Sequence, residues 1–169
     1  MVANLLINKP INETDYDLYW LGAGTADVDH VATYAKNRGI TDIINANFSS
    51  PNQQKTVLSF YQAFPYHGGR AELYAQNAYA DMKTKIAAQL KNEVYPFYQL
   101  TDQDIVDLRL TRWGHPLPLA AAGLLSRGIV DTLREPIDQR IYFVEQDNWA
   151  LPAIETVASE AIYWSSIIR

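Results

Sequence analysis

An α+β fold is predicted for this chain, from three features of its pattern. Strand-length runs of apolar, β-branched and aromatic residues are gathered between Val2 and Ala63. The period then changes to that of a helix, from Arg70 to Glu93. The chain closes on a strand–turn–helix sequence from Ile141 to Ile168. Strands gathered ahead of a long helix, rather than alternating with helices, predict a mixed or antiparallel sheet with helices packed on it.

In order along the chain, Val2 to Asn8 is a short apolar run stopped by Lys9-Pro10, which suits a strand. Asn12 to Asp15 is turn-like, and Tyr16, Leu18 and Trp20 alternate with Asp17 and Tyr19 as a second strand would. Leu21 to Arg38 is ambiguous, with Val28, Val31, Ala32 and Ala35 at helical spacing after a pair of glycines. Ile43 to Phe48 and Thr56 to Ala63 read as two more strands. Ala75, Tyr79, Met82, Ile86 and Leu90 then mark an amphipathic helix that Pro96 ends. Thr101 ahead of Asp102-Gln-Asp104 suits a capped helical turn, and Leu108 to Trp113 alternates as a strand. Ala120 to Leu133 has helical character that Gly123 and Gly128 each weaken by roughly 1 kcal/mol relative to Ala. Ile141 to Val144 suggests a strand. Ile154, Val157, Ala158, Ala161, Ile162, Ser165 and Ile168 form one apolar helical stripe behind Pro152, which is tolerated in a first turn.

Composition narrows the function classes. With 169 residues, 48% hydrophobic and 20% charged, the chain reads as globular. A net charge of −5 and the lack of any basic run argue against a nucleic-acid partner. The absence of cysteine removes disulfides, thiolate catalysis and Cys-ligated metals. No stretch approaches the roughly 20 apolar residues of a membrane span, and Met1 to Pro10 lacks the basic start of an export signal. A soluble, cytoplasmic protein is therefore expected.

Taken residue by residue, the chemistry is sparse. Leu21-Gly-Ala-Gly-Thr-Ala-Asp27 follows a strand-like run as a dinucleotide loop would, but Asp27 occupies the third glycine position and would repel a pyrophosphate. A plain turn is the better reading. His30, His67 and His115 lack metal-ligand spacing, so no metal site is expected. No serine lies in a nucleophile elbow, and no catalytic residue can be named.

The closing segment, Arg140-Ile-Tyr-Phe-Val-Glu-Gln-Asp147 followed by a Pro-initiated helix, resembles the last strand and helix of flavin amine oxidases. Arg112-Trp-Gly-His115 resembles the Arg-Trp-Gly-His element of bacterial FAD/NAD(P)-dependent oxidoreductases of that type. Val2-Ala-Asn-Leu-Leu6, Trp20 and Thr56-Val-Leu-Ser-Phe-Tyr61 resemble further elements of the same branch, in family order. The family's dinucleotide-binding first half has no counterpart. Glu145 stands where the closing motif carries glycine, and Glu160-Ala161 where the helix commonly does.

This resemblance implies a substrate-domain region over residues 1–136. It also implies that residues 137–169 close an FAD-binding domain, with Glu145 and Asp147 at the ribityl chain and the helix start at Ala153 beside the flavin. Trp113 and His115 would line a substrate cavity. In a complete relative, an amine or similar substrate carbon delivers hydride to the flavin, and an acceptor such as O2 reoxidises it. Plain packing for Trp113 and His115, and a solvated loop for the two carboxylates, stand beside these roles. The chain is then the substrate part or subunit of an FAD-dependent oxidoreductase, paired with a second chain that carries the dinucleotide-binding half, or a homo-oligomer. A non-catalytic binding or assembly module that no longer binds flavin is the alternative.

Overall fold

The computed structural model describes residues 1–11, 17–19, 39–49, 53–64, 68–115, 117–118 and 121–168. The Gly-Ala-Gly turn, His30, His67 and Trp20 lie outside the described residues. The chain divides into two compact units, Met1–Gly114 and His115–Arg169.

The first unit is built on one antiparallel sheet of five strands: β1 (Val2–Ile7), β2 (Asp17–Tyr19), β3 (Asp42–Asn45), β4 (Thr56–Tyr61) and β5 (Ile105–Thr111), in the order β2-β3-β4-β1-β5. Both β4 and β5 run antiparallel to β1, so they run parallel to each other with β1 between them. The chain from β4 to β5 passes through the helices and leaves room for that middle strand, which is a split β-α-β arrangement. Burial alternates along each strand as the period-two pleat requires, placing Ala3, Leu5 and Ile7, Leu58 and Phe60, and Leu108 and Leu110 in one core. The register of β1 on β5 slips between Leu6 and Ile7. Two residues of β5 therefore oppose one of β1, and the bulge leaves Val106 53% exposed.

The single helix expected from Arg70 to Glu93 is two. Helix α1 (Gly69–Tyr74) stops at a turn in which Asn77 is left-handed (φ 62°), and α2 (Ala78–Gln89) begins after it. Helix α2 then runs into a π-helical segment, Leu90–Val94, and a closing turn, Tyr95–Phe97. Pro96 has no N–H to offer the carbonyl one α-turn back and its ring crowds that carbonyl, so a wider turn ahead of it relieves both problems. Ile86, Leu90, Val94 and Tyr98 reach the sheet core. Gln89, on the polar side of the expected pattern, is buried because its amide pairs with a backbone segment. Its Oε1 accepts from Ile40 N at 2.9 Å, and its Nε2 donates to Ile40 O at 3.4 Å. Gly39, at φ 89°, is needed beside it, since a Cβ there would lie 2.5 Å from Gln89 Oε1.

The expected capped turn after Thr101 forms as a 3-10 turn, Asp102–Asp104, with a complete capping box between Thr101 and Asp104. Strand β5 begins three residues ahead of the expected strand and ends at Thr111, leaving Arg112 and Trp113 beyond it.

In the second unit the expected helix from Ala120 to Leu133 is confined to α3 (Ile129–Arg134). Gly123 (φ 85°) and Gly128 (φ 68°) take left-handed conformations that end any helix before it. Ile141 to Val144 is not a strand. Ile141 makes one bridge to Ile137 across a turn in which Asp138 and Gln139 are both left-handed, and no neighbouring strand extends the pairing. Helix α4 (Ile154–Ile167) matches the expected helix, with Ala153 as its N-cap and Pro152 just outside it rather than in the first turn. Its orientation is the reverse of what the apolar stripe predicts. Thr156, Glu160 and Trp164 face inward, while Ile154 is 81% and Ile162 71% exposed. Three residues spaced by four share one helix face, and the groups that bond Glu160 hold that face against the rest of the unit.

Candidate functional site

The sequence-named residues are divided between the two units, Trp113 in the first and His115, Glu145, Asp147 and Ala153 in the second. Trp113 is 57% exposed and His115 is exposed. The residues between and before them have structural duties. Arg112 Nη1 donates to Leu73 O at 2.8 Å, and its guanidinium lies over the rings of Tyr74 and Tyr79, 5.4 and 5.5 Å from their centroids. A Cβ on Gly114 would come within 2.6 Å of the Tyr74 ring. The Arg112-Trp-Gly-His115 element thus pins α1 to the end of β5 through Arg112 and Gly114. Glu145 is exposed and precedes a 3-10 turn, Gln146–Trp149, in which Asp147 is half-buried. Ala153, half-buried, caps α4 without any side-chain bond to the N–H groups of its first turn.

What the structure does gather is a set of groups around Glu160, whose carboxylate is fully buried. Its Oε1 accepts from Arg134 Nε at 3.1 Å, Asn148 Nδ2 at 3.0 Å and Trp164 Nε1 at 2.8 Å, and its Oε2 accepts from Trp149 Nε1 at 2.8 Å. Four donors from α3, the 3-10 turn and α4 therefore converge on one anion. Burial alone would raise the carboxyl pKa, but the bonds from Arg134, Trp149, Asn148 and Trp164 outweigh it and hold Glu160 below its ordinary 4.5. The aromatic rings form a frame around the charge. Arg134 lies 5.4 Å from the Trp149 centroid and 4.9 Å from that of Tyr163, while Trp164 meets Tyr142 and Tyr163 edge-on at 4.8 and 5.1 Å.

Asn148 is fixed in its orientation because Nδ2 also donates to Phe143 O at 2.6 Å, and turning the amide over would set its oxygen against two acceptors. The price is that Asn148 Oδ1 is the one buried side-chain polar atom, among the described residues, without a partner. Such an atom costs about 1–3 kcal/mol. Ala150 next to this turn is left-handed at φ 50°, a strain of about 1–2 kcal/mol for a residue with a Cβ. The turn is therefore held in place by Glu160 against two local costs.

This hub was legible only as a spacing. Thr156, Glu160 and Trp164 recur every four residues, a second stripe beside the apolar one, and nothing local ranks the two. Arg134 and Trp149 carry no sequence signal that ties them to Glu160. Among the described residues no cluster of His, Asp or Glu is arranged to hold a metal, and no helix is long and apolar enough to cross a membrane. No family model, curated protein or solved structure matches the chain.

Proposed function

We propose that the chain is the substrate-domain part or subunit of an FAD-dependent, amine-oxidase-like oxidoreductase, and that the dinucleotide-binding half is carried by a separate chain. The observation that carries the reading is the distribution of apolar side chains in the second unit. Trp164 is the one large hydrophobic side chain buried there among the described residues, whereas Leu125, Leu151, Ile154, Ile162 and eleven others are exposed. A surface of that kind marks a face made for contact with another molecule. In the resembled family the terminal helix packs on the flavin-binding domain, which is the partner this reading supplies.

The residues present would meet an FAD along one edge. The uncapped first turn of α4 leaves N–H donors open, which suits a flavin carbonyl. The carboxylates of Glu145, Asp147 and Glu155 lie near that start in sequence, which suits hydroxyl groups of a ribityl chain and disfavours phosphate. The described residues include no glycine-rich phosphate turn, so the phosphates fall to the partner chain. A flavin bound there would supply the redox chemistry.

The second reading, a binding or assembly module that has lost flavin, is favoured by a specific observation. Glu160 stands where the family commonly has glycine, and its side chain is committed to four internal bonds. The two readings separate in one experiment: gentle purification from the native source, an absorbance spectrum, and identification of any co-purifying chain. Flavin bands together with a chain carrying a Gly-x-Gly-x-x-Gly turn are expected. A colourless protein that purifies without a partner overturns the oxidoreductase reading.

A further inference from the structure

We propose that Arg134 is the anchor of a protein-docking surface on the second unit, built to receive an Asp or Glu side chain from a partner chain. The proposal requires a protein partner but not that the partner carry flavin.

A guanidinium has five N–H donors. Arg134 spends the one on Nε on Glu160, and the four on its terminal nitrogens have no acceptor among the described residues. The group is nevertheless held rigidly. Trp149 and Tyr163 hold it by ring contacts, and both rings are tied back to Glu160, Trp149 through its own N–H and Tyr163 through its edge contact with Trp164. The Arg134 side chain keeps 30% of its surface open while Glu160 keeps none, so solvent reaches the arginine side chain and not the carboxylate. A fork of N–H groups fixed in this way matches a carboxylate in two parallel bonds, at little cost in side-chain entropy.

The surroundings select the kind of partner. Trp149 is 43% and Tyr163 47% exposed, and Leu133 and Ile162, next to Arg134 and Tyr163 in sequence, are exposed as well. Trp, Tyr and Arg are the residue types that dominate binding energy at protein interfaces. These exposed rings and aliphatic side chains favour an occupant that brings apolar contact with its carboxylate over a small free anion. Two hollows of the described structure are lined by other residues, one by Lys91, Tyr95 and Asp102, the other by Leu124, Ser126 and Ala150. A guanidinium framed by two half-exposed aromatic rings, with further apolar side chains exposed beside it in sequence, matches a protein surface.

The test is a titration of the full chain, followed by the indole and guanidinium N–H resonances. Three probes are compared: the peptide acetyl-Leu-Glu-Leu-Leu-amide, the same peptide with Gln for Glu, and inorganic phosphate. Saturable shifts at Arg134 and Trp149 are expected with the Glu peptide, at an affinity at least about fivefold above that of the Gln peptide. Phosphate is expected to give no saturable shift. Arg134→Lys, which keeps the charge beside Glu160 but not the fork, should abolish the discrimination while the Trp164 indole signal stays in place. Tyr163→Ala, which removes one wall of the guanidinium, should reduce it too, and decides the matter if the lysine variant does not fold. Equal affinity for the two peptides, binding of phosphate as tight as that of the Glu peptide, no shift with any probe, or discrimination that survives in a folded variant overturns the proposal.

Discussion

The two units solve opposite problems. Met1–Gly114 buries aliphatic and aromatic side chains between a sheet and α2. His115–Arg169 buries an ion, Glu160, inside a frame of indoles and a guanidinium, and turns its isoleucines and leucines outward. The first arrangement draws its stability from transfer of apolar surface out of water. The second depends on satisfied donors around one charge, and leaves much of its apolar surface exposed. An apolar core stands by itself, whereas a buried ion with an apolar exterior is, on the reading proposed above, half of an interface.

That contrast can be broken at four points. The largest effect is expected in the sheet core, where Phe60 is fully buried. Phe60→Ala should cost about 3–5 kcal/mol, read from urea unfolding of the first unit by hydrogen exchange. Glu160→Ala should come next, at about 3 kcal/mol, because it leaves a guanidinium and two indole N–H groups without their acceptor. Its loss should fall on amides of the second unit and spare those of the first. A comparable loss in both units would refute the division.

Acid provides the third point. Glu160 has a depressed folded pKa, so its contribution is fully present well above the ordinary value of 4.5 and is lost as the pH falls from there through the lowered folded value. Exchange protection in the second unit should therefore decline below about pH 4.5, and the decline should flatten in the Glu160→Gln variant. The smallest effect is expected on the outward face of α4. Ile162→Gln should change stability by less than about 0.5 kcal/mol in the isolated chain, since Ile162 is 71% exposed. An unfolding midpoint that moves strongly would mean that this face is buried in solution.

The sheet was legible because its signals are local. The apolar run from Val2 with its Lys9-Pro10 stop, and the β-branched and aromatic residues after Thr56, state strand and boundary within a few residues. The start of β5 was missed because the bulge places Ile105 and Val106 against one partner and interrupts the alternation there. Helix α4 was legible as a helix but not in its orientation. Hydrophobicity says which side chains prefer burial, and says nothing of whether the same chain offers anything to bury them against. The site depended even more on distance along the chain, since Arg134, Asn148 and Glu160 meet only through the fold.

The π segment in α2 settles a matter of phase. Met82, Ile86, Leu90, Val94 and Tyr98 are spaced by fours, and the last four are buried against the sheet while Met82 packs at its margin. A step of four overshoots one α-turn by about 40°, so a row of five would wind well around an ordinary helix. Widening the turn at Leu90–Val94 takes back part of that overshoot. The helix thereby lays a nearly straight row along the strands, much as a vernier keeps two unequal rulers in line, and Pro96 marks where the correction ends.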